Sequence, residues 1–389
     1  MFKRVFLVVL DGFGVGASED ADLFGDTGAN TLKHITEDTN YNLNVMEKLG
    51  FLNLAGKNLE TKYSIYSKLK PKSLGKDSLN GHYEMMGIIL DEPFKTYPDG
   101  FPLELISKIK EISGRDVIGN IVASGTEIIK DLGEMQRKTG ALIVYTSADS
   151  VLQIAADEKI VPLDELYSIC EKLREIVSVS PYNIGRVIAR PYVFENGVYT
   201  RTPNRHDYTV TPPLNALDLI SKNNLQTIGI GKISDLFNGK GLTNSIKTKN
   251  NLDGLMKLID FSKGNFNGLC FVNLNDFDSK YGHRRDKDNY LKALEEFNYY
   301  LPIFLKNLKP TDLAIFTSDH GNDPTFKGTD HTRENTPLVV FSPSINNSRR
   351  IEDRTSFADI SATILDNFGI NNPLKYGKSF YNEIKKEEN

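Results

Sequence analysis

Three short runs decide the fold: Val5-Phe-Leu-Val-Val-Leu10, Leu269-Cys-Phe-Val-Asn-Leu274 and Leu313-Ala-Ile-Phe316. Each is apolar and rich in β-branched or aromatic residues, and each stops abruptly at polar ones. The first ends at Asp11, the second runs into Asp276 and Asp278, and the third into Thr317-Ser318-Asp319-His320. Strands apolar on both faces read as buried parallel strands, and loops at their carboxyl ends line the ligand crevice of such sheets. Helical spacing separates them. Leu291, Leu294 and Phe297 recur along a predicted helix from Asp286 to Leu308, with a kink expected at Pro302. A later one carries Phe357, Ile360, Ile364 and Leu365, with Thr355 or Ser356 as cap and Gly369 as stop. Strands alternating with helices predict an α/β fold with a mainly parallel sheet.

At 389 residues the chain exceeds one ordinary core, so two domains are expected. A Pro/Gly-rich entry at Pro93 to Pro102 and an exit at Pro212-Pro213 bracket an inserted cap, placed at 94–210, with the core at 1–93 and 211–389. Within the cap, Leu142 to Tyr145 reads as a strand. Leu163, Leu166, Ile169, Cys170, Leu173 and Ile176 fall at helical spacing and are expected in its core. The Lys/Glu-rich tail from Lys385 reads as frayed and solvated.

Composition excludes several classes. With 47 Lys plus Arg against 51 Asp plus Glu, the net charge of -4 argues against a nucleic-acid surface. The apolar start breaks off at Asp11, too short for a secretory signal, and no later run reaches the length of a spanning helix. A cytoplasmic protein without membrane contact or obligate protein partner is expected. The two cysteines, Cys170 and Cys270, read as small buried hydrophobes in a reducing compartment.

The chain has six histidines, and His82, His283, His320 and His331 all lie close to carboxylates, glycines or hydroxyls in turn-like segments. Asp278 and His283, five apart with a glycine between, are expected to converge across a turn. An Asp after a strand is, taken alone, more often a turn former or helix cap than a ligand. Jointly, three carboxylates and three imidazoles form the mixed oxygen and nitrogen set that borderline divalent metals accept. Two dications among them would leave about +1, suited to a phosphate dianion. Ser78, in Gly75-Lys-Asp-Ser78-Leu-Asn-Gly81-His82, offers a hydroxyl among small and polar residues. It reads either as a helix cap or as a nucleophile at a helix N-terminus, and the two are compatible.

Several segments together resemble the phosphopentomutases of the alkaline phosphatase superfamily. They are Asp11-Gly-Phe-Gly-Val-Gly16, Gly28-Ala-Asn-Thr31, Gly75-Lys-Asp-Ser78 and Tyr145-Thr-Ser-Ala-Asp149-Ser. Arg201-Thr-Pro-Asn-Arg205-His-Asp207, Asp276-Phe-Asp278 through Gly282-His283-Arg-Arg-Asp286, and Thr317-Ser-Asp319-His320-Gly-Asn-Asp-Pro324 complete the series. The resemblance implies an alkaline phosphatase-like core interrupted by a smaller α/β cap. It implies two manganese ions, one on Asp11, Asp319 and His320, the other on Asp278, His283 and His331, with Ser78 touching both. It further implies that phosphorylated Ser78 exchanges its phosphoryl group with ribose 1-phosphate or ribose 5-phosphate, and with the 2-deoxyribose equivalents. Glucose 1,6-bisphosphate or ribose 1,5-bisphosphate would be the activator, with Asp149, Arg201 and Arg205 contacting the pentose phosphate. The family commonly has threonine at the position of Ser78 and often tryptophan at that of Tyr83. Cofactor-independent phosphoglycerate mutases, which use serine there, are also similar, while the Asp149 and Arg201 segments favour a pentose.

Overall fold

The computed structural model describes residues 1–37, 39–147 and 149–385. Except for Lys385, the tail expected to be frayed lies outside the described residues. Two compact units emerge, Met1–Asp91 with Pro212–Asn389, and Glu92–Thr211. In chain order, β1 (Arg4–Leu10) and β2 (Ser64–Leu69) precede the second unit. That unit holds β3 (Val117–Val122), β4 (Leu142–Thr146), β5 (Val151–Asp157), β6 (Arg186–Glu195), β7 (Val198–Arg201) and β8 (His206–Thr209). Then follow β9 (Gln226–Ile230), β10 (Asn244–Ile246), β11 (Gly268–Leu274), β12 (Asp312–Thr317), β13 (Thr336–Phe341) and β14 (Arg349–Arg350).

The first unit is built on one sheet in the order β10-β9-β11-β1-β12-β13-β2-β14. Pairing is parallel from β10 through β12, and β13 runs against both of its neighbours. The α/β class with a mainly parallel sheet, expected from the strand pattern, is therefore the observed one. Every residue of β1, β11 and β12 is buried, which is why their sequences read as continuous apolar runs. Phe6, Val8 and Leu10 share a core cluster with Leu294, Phe297, Leu301 and Phe304 of the helix Lys287–Asn307. Pro302 is accommodated within that helix, which continues to Asn307. Near the C-terminus, the helix Ala358–Asn367 starts where Ser356 Oγ accepts the Ala358 N–H, and Gly369 turns left-handed just beyond its end.

Register sets the site. Val9 pairs with Asn273 on one side and Thr317 on the other, so Asp11, the loop after Leu274, and Ser318-Asp319-His320 leave the sheet side by side. The odd-numbered face of β1 and β11 is met by the helix Ser78–Met85, whose His82 ring lies 5.7 Å from that of Phe271. No helix among the described residues is long and apolar enough to cross a membrane.

The second unit has its own sheet, β3-β4-β5-β6-β7, with β8 also paired to β6. Parallel and antiparallel pairings mix. The helix Leu163–Val177 packs Leu166, Ile169, Cys170 and Leu173 into its core, and both cysteines are free and buried.

Candidate metal centre

Asp77 decides how Ser78 is presented. Its carboxylate caps the helix, accepting the N–H groups of Leu79 (2.9 Å) and Asn80 (3.1 Å), so Ser78 is the first helical residue and not the cap. Ser78 thus stands at the helix N-terminus as expected, with the Leu79 and Asn80 donors taken by the Asp77 carboxylate. Positive charge comes from Lys232, whose Nζ donates to Ser78 Oγ at 2.8 Å and meets Asp11 Oδ2 at 2.5 Å. His320 Nε2 stands 3.2 Å from the same hydroxyl. Sequence reasoning missed Lys232. The signal was present, since Gly231-Lys232 directly follows β9 at the carboxyl end of the parallel sheet, where Asp11 was found.

Asp278 and His283 do converge, but on a π-helical turn over Phe277–Gly282, with the His283 N–H donating to the Asp278 carbonyl at 3.0 Å. An i to i+5 turn carries residues five apart onto one face, which explains the spacing. Asp278 Oδ2 lies 3.3 Å from His283 Nε2, and Oδ1 lies 3.4 Å from His331 Nε2. Donor atoms of Asp278, His283 and His331 fall within 4.8 Å of one another, and so do those of Asp11, Asp278 and His320. Asp278 thus belongs to both groups. The resemblance assigned it to one, with Asp319 beside Asp11 and His320. Asp319 turns Oδ1 to the Gly12 N–H at 3.1 Å and keeps Oδ2 3.4 Å from His320 Nε2.

These donors fit a divalent cation. Asp11 Oδ1 is buried without a hydrogen-bond partner among the described residues, and it and Asp319 Oδ2 lie 3.6 and 3.4 Å from His320 Nε2. His283 Nδ1 donates to the Thr329 carbonyl at 2.7 Å and His320 Nδ1 to that of Gly321 at 3.1 Å, which leaves each Nε2 lone pair facing the carboxylates. Burial and the neighbouring Asp319 push the Asp11 carboxyl up, with Lys232 opposing. For Asp278 burial works in the same sense, but His331 and His283, when protonated, override it and hold the carboxyl well below its usual range. Against its own burial, Lys232 is kept protonated by Asp11, Asp319 and Asp278. Three buried carboxylates facing one ammonium leave negative charge for a cation to balance.

Further residues brace the centre. Asn322 Nδ2 donates to Asp278 Oδ1 (2.7 Å), and its Oδ1 accepts from Arg285 (2.6 Å). Arg333, fully buried, donates to the carbonyls of Ser73 (2.8 Å) and Gly75 (3.0 Å) and fixes the loop leading to Ser78. Gly81 lets the Ser78 helix touch the strand end, because a methyl there would collide with the Asp319 carbonyl oxygen. Gly81→Ala is expected to destabilise the protein by about 1–3 kcal/mol in denaturant unfolding and to lower metal occupancy at Asp319.

Asp149, Arg201 and Arg205 lie in the second unit. Asp149 Oδ2 pairs with Arg186 (3.0 Å), Arg201 donates to Thr126 Oγ1 (2.7 Å), and Arg205 grips Asp207 with two contacts of 2.6 Å. Arg190 donates to Gln153 at 3.0 Å; burial, then Arg205 and Arg201, press its guanidinium down to about 10. The buried Tyr145 hydroxyl has no partner among the described residues and lies beside Gly125, at the start of the helix Gly125–Thr139.

A model of the Metalloenzyme superfamily matches residues 3–372. The PH0037 protein from Pyrococcus horikoshii is similar in structure, with a TM-score of 0.50 and 13% identity over 97% of this chain and 100% of that one. Leishmania mexicana phosphoglycerate mutase gives a TM-score of 0.47 and 14% identity, covering 97% of each chain. A protein of the alkaline phosphatase superfamily from Vibrio parahaemolyticus gives 0.42 and 12% over 95% of this chain and 67% of that one. At such identities the likeness concerns fold alone, and the α/β class with a mainly parallel sheet expected from the sequence is the one observed.

Proposed function

Because the chain belongs to the Metalloenzyme superfamily, and is thus an enzyme that uses divalent metal, we propose that it is a phosphopentomutase working through a phosphoserine at Ser78. The observation that carries this reading is the state of the Ser78 hydroxyl. It is buried, relieved of capping by Asp77, and held between Lys232 Nζ at 2.8 Å and His320 Nε2 at 3.2 Å. A metal site that only stapled loops together would need no such hydroxyl.

In this reading Asp11, Asp319 and His320 hold one manganese and Asp278, His283 and His331 the other, with Asp278 reaching toward both. Bound there, the ions supply Lewis acidity that lowers the pKa of the serine hydroxyl and neutralises phosphoryl oxygens. Lys232, kept protonated, donates to Ser78 Oγ and so stabilises the charge that gathers on it when the bond from phosphorus to the serine oxygen breaks. The phosphoryl group passes to a free hydroxyl of ribose 1-phosphate or ribose 5-phosphate and gives a pentose 1,5-bisphosphate. The other phosphoryl group then returns to Ser78. Deoxyribose phosphates react likewise, and glucose 1,6-bisphosphate or ribose 1,5-bisphosphate primes the serine. Asp149, Arg201 and Arg205 are the proposed contacts to the sugar phosphate, supported by the crowded guanidinium groups around Arg190. Pentose phosphates are its partners, in the cytoplasm, with no role for nucleic acid, membrane or another protein.

The test is to incubate the manganese-loaded protein, primed with glucose 1,6-bisphosphate, with ribose 1-phosphate. Ribose 5-phosphate is the expected product. Free phosphate in its place would mean that water is the acceptor and the protein is a phosphatase.

A further inference from the structure

Asn273 is the lone amide in the apolar run of β11, and it is almost wholly buried. Pairing with Val9 places it two residues short of Asp11 in register, on the sheet face met by the Ser78 helix. Its Nδ2 donates to Asp11 Oδ2 at 2.7 Å and lies 3.3 Å from His82 Nε2. A carboxylate can only accept, so the nitrogen of the amide, not its oxygen, must face Asp11. The second N–H of that nitrogen then points at His82 Nε2, which must accept. The ring proton therefore sits on Nδ1, 2.8 Å from the Ser78 carbonyl and 3.2 Å from Asp319 Oδ2. One buried chain of contacts thus runs from Asp11 through Asn273 and His82 to Asp319 and to the first turn of the helix that carries the nucleophile.

We infer that Asn273 and His82 are positioning residues for one of the two metal ions, setting the spacing of Asp11 and Asp319 while leaving the other ion untouched. The inference rests on the two-ion reading above. The second group is oriented by a separate set, with Asn322 on Asp278 and the Thr329 carbonyl on His283. Packing alone does not account for Asn273. Its Oδ1 is buried without a partner among the described residues, a cost that an apolar residue would avoid, so what the fold retains is the pair of N–H donors.

The experiment titrates manganese into the metal-free full-length protein and into Asn273→Leu, His82→Leu, His82→Gln and the double Leu variant, counting ions and affinities by equilibrium dialysis. The parent is expected to bind two ions. In Asn273→Leu one of them should weaken by about 10–100-fold, as when a group orienting a metal ligand is lost, while the other keeps its affinity. His82→Leu should weaken the same ion, and the double variant should be no worse than the worse single one, because both act through one chain of contacts. His82→Gln should keep part of the affinity, since its side-chain oxygen can still accept from Asn273. Parent-like affinity for both ions in the Leu variants would overturn the inference alone, as would equal weakening of both ions together with a lowered melting temperature. A parent that binds no manganese would overturn the two-ion reading, and this inference with it. Should Asn273→Leu fail to fold, the His82 variants decide the question from the other end of the chain of contacts.

Discussion

Ser78→Ala is expected to reduce the interconversion of ribose 1-phosphate and ribose 5-phosphate by about 10⁴-fold or more, the scale seen when a catalytic nucleophile is removed. The fold should scarcely notice. Asp77 supplies the helix cap, and Lys232 Nζ keeps Asp11 as partner when the hydroxyl is gone, so unfolding free energy should change by no more than about 1 kcal/mol. That separation makes the variant informative, because lost activity cannot be ascribed to lost structure. A mutase must return a phosphoryl group to the enzyme in each cycle, so the enzyme must be loaded before it turns over. A pentose or glucose bisphosphate should therefore stimulate a fresh preparation, and mass spectrometry should find one phosphate on the peptide containing Ser78. Ser78→Ala should lose that label. Ser78→Thr should retain much of the activity, since the hydroxyl survives and the cost is one methyl in a buried site. Near-parental interconversion by Ser78→Ala would sink the phosphoserine mechanism.

How much of this could be read from the residues depends on the range of the interaction. Strands β1, β11 and β12 announced themselves because burial on both faces forces continuous apolar runs, and the acidic residues ending them marked the crevice. The strand ends also marked Asp278 and His320, whereas His283 and His331, which the structure brings to the same group as Asp278, were pointed to by their turn-like, acidic surroundings and by the family resemblance. Register was not legible. Nothing in Leu269-Cys-Phe-Val-Asn-Leu274 says that Asn273 stands beside Val9 and reaches Asp11, because pairing joins residues hundreds of positions apart. Nor could the cap be assigned: Asp77 and Ser78 are both good capping residues, and only geometry shows Asp77 taking the two N–H groups. The π turn at Phe277–Gly282 escaped for a different reason, since so rare a conformation is never the default reading of a five-residue spacing.

The sharing of Asp278 leads to the second large effect. Chelation of the purified protein should abolish activity, and manganese should restore it; full activity in metal-free protein would eliminate the two-ion reading. The individual ligands should then fall into two classes. His283 falls in only one of the two donor groups, and Asp319 is proposed for the other ion alone, so His283→Ala or Asp319→Asn should weaken one ion by roughly 10-fold or more. Asp278 has donor atoms within 4.8 Å of those of His283 and His331 and also of those of Asp11 and His320. Replacing it with Asn removes the one carboxylate common to both groups while keeping its volume and an oxygen able to accept from Asn322. Asp278→Asn should therefore weaken both ions together and remove measurable turnover, without the unfolding that a large change of volume would bring. Thermal melting supplies a readout independent of catalysis, because an ion present at 100 times its Kd stabilises the folded state by about 2.7 kcal/mol. The parent should show an upward shift with manganese, His283→Ala a smaller one, and Asp278→Asn almost none. If Asp278→Asn lost only one ion and kept the melting shift of His283→Ala, Asp278 would serve a single ion, as the family resemblance alone implied.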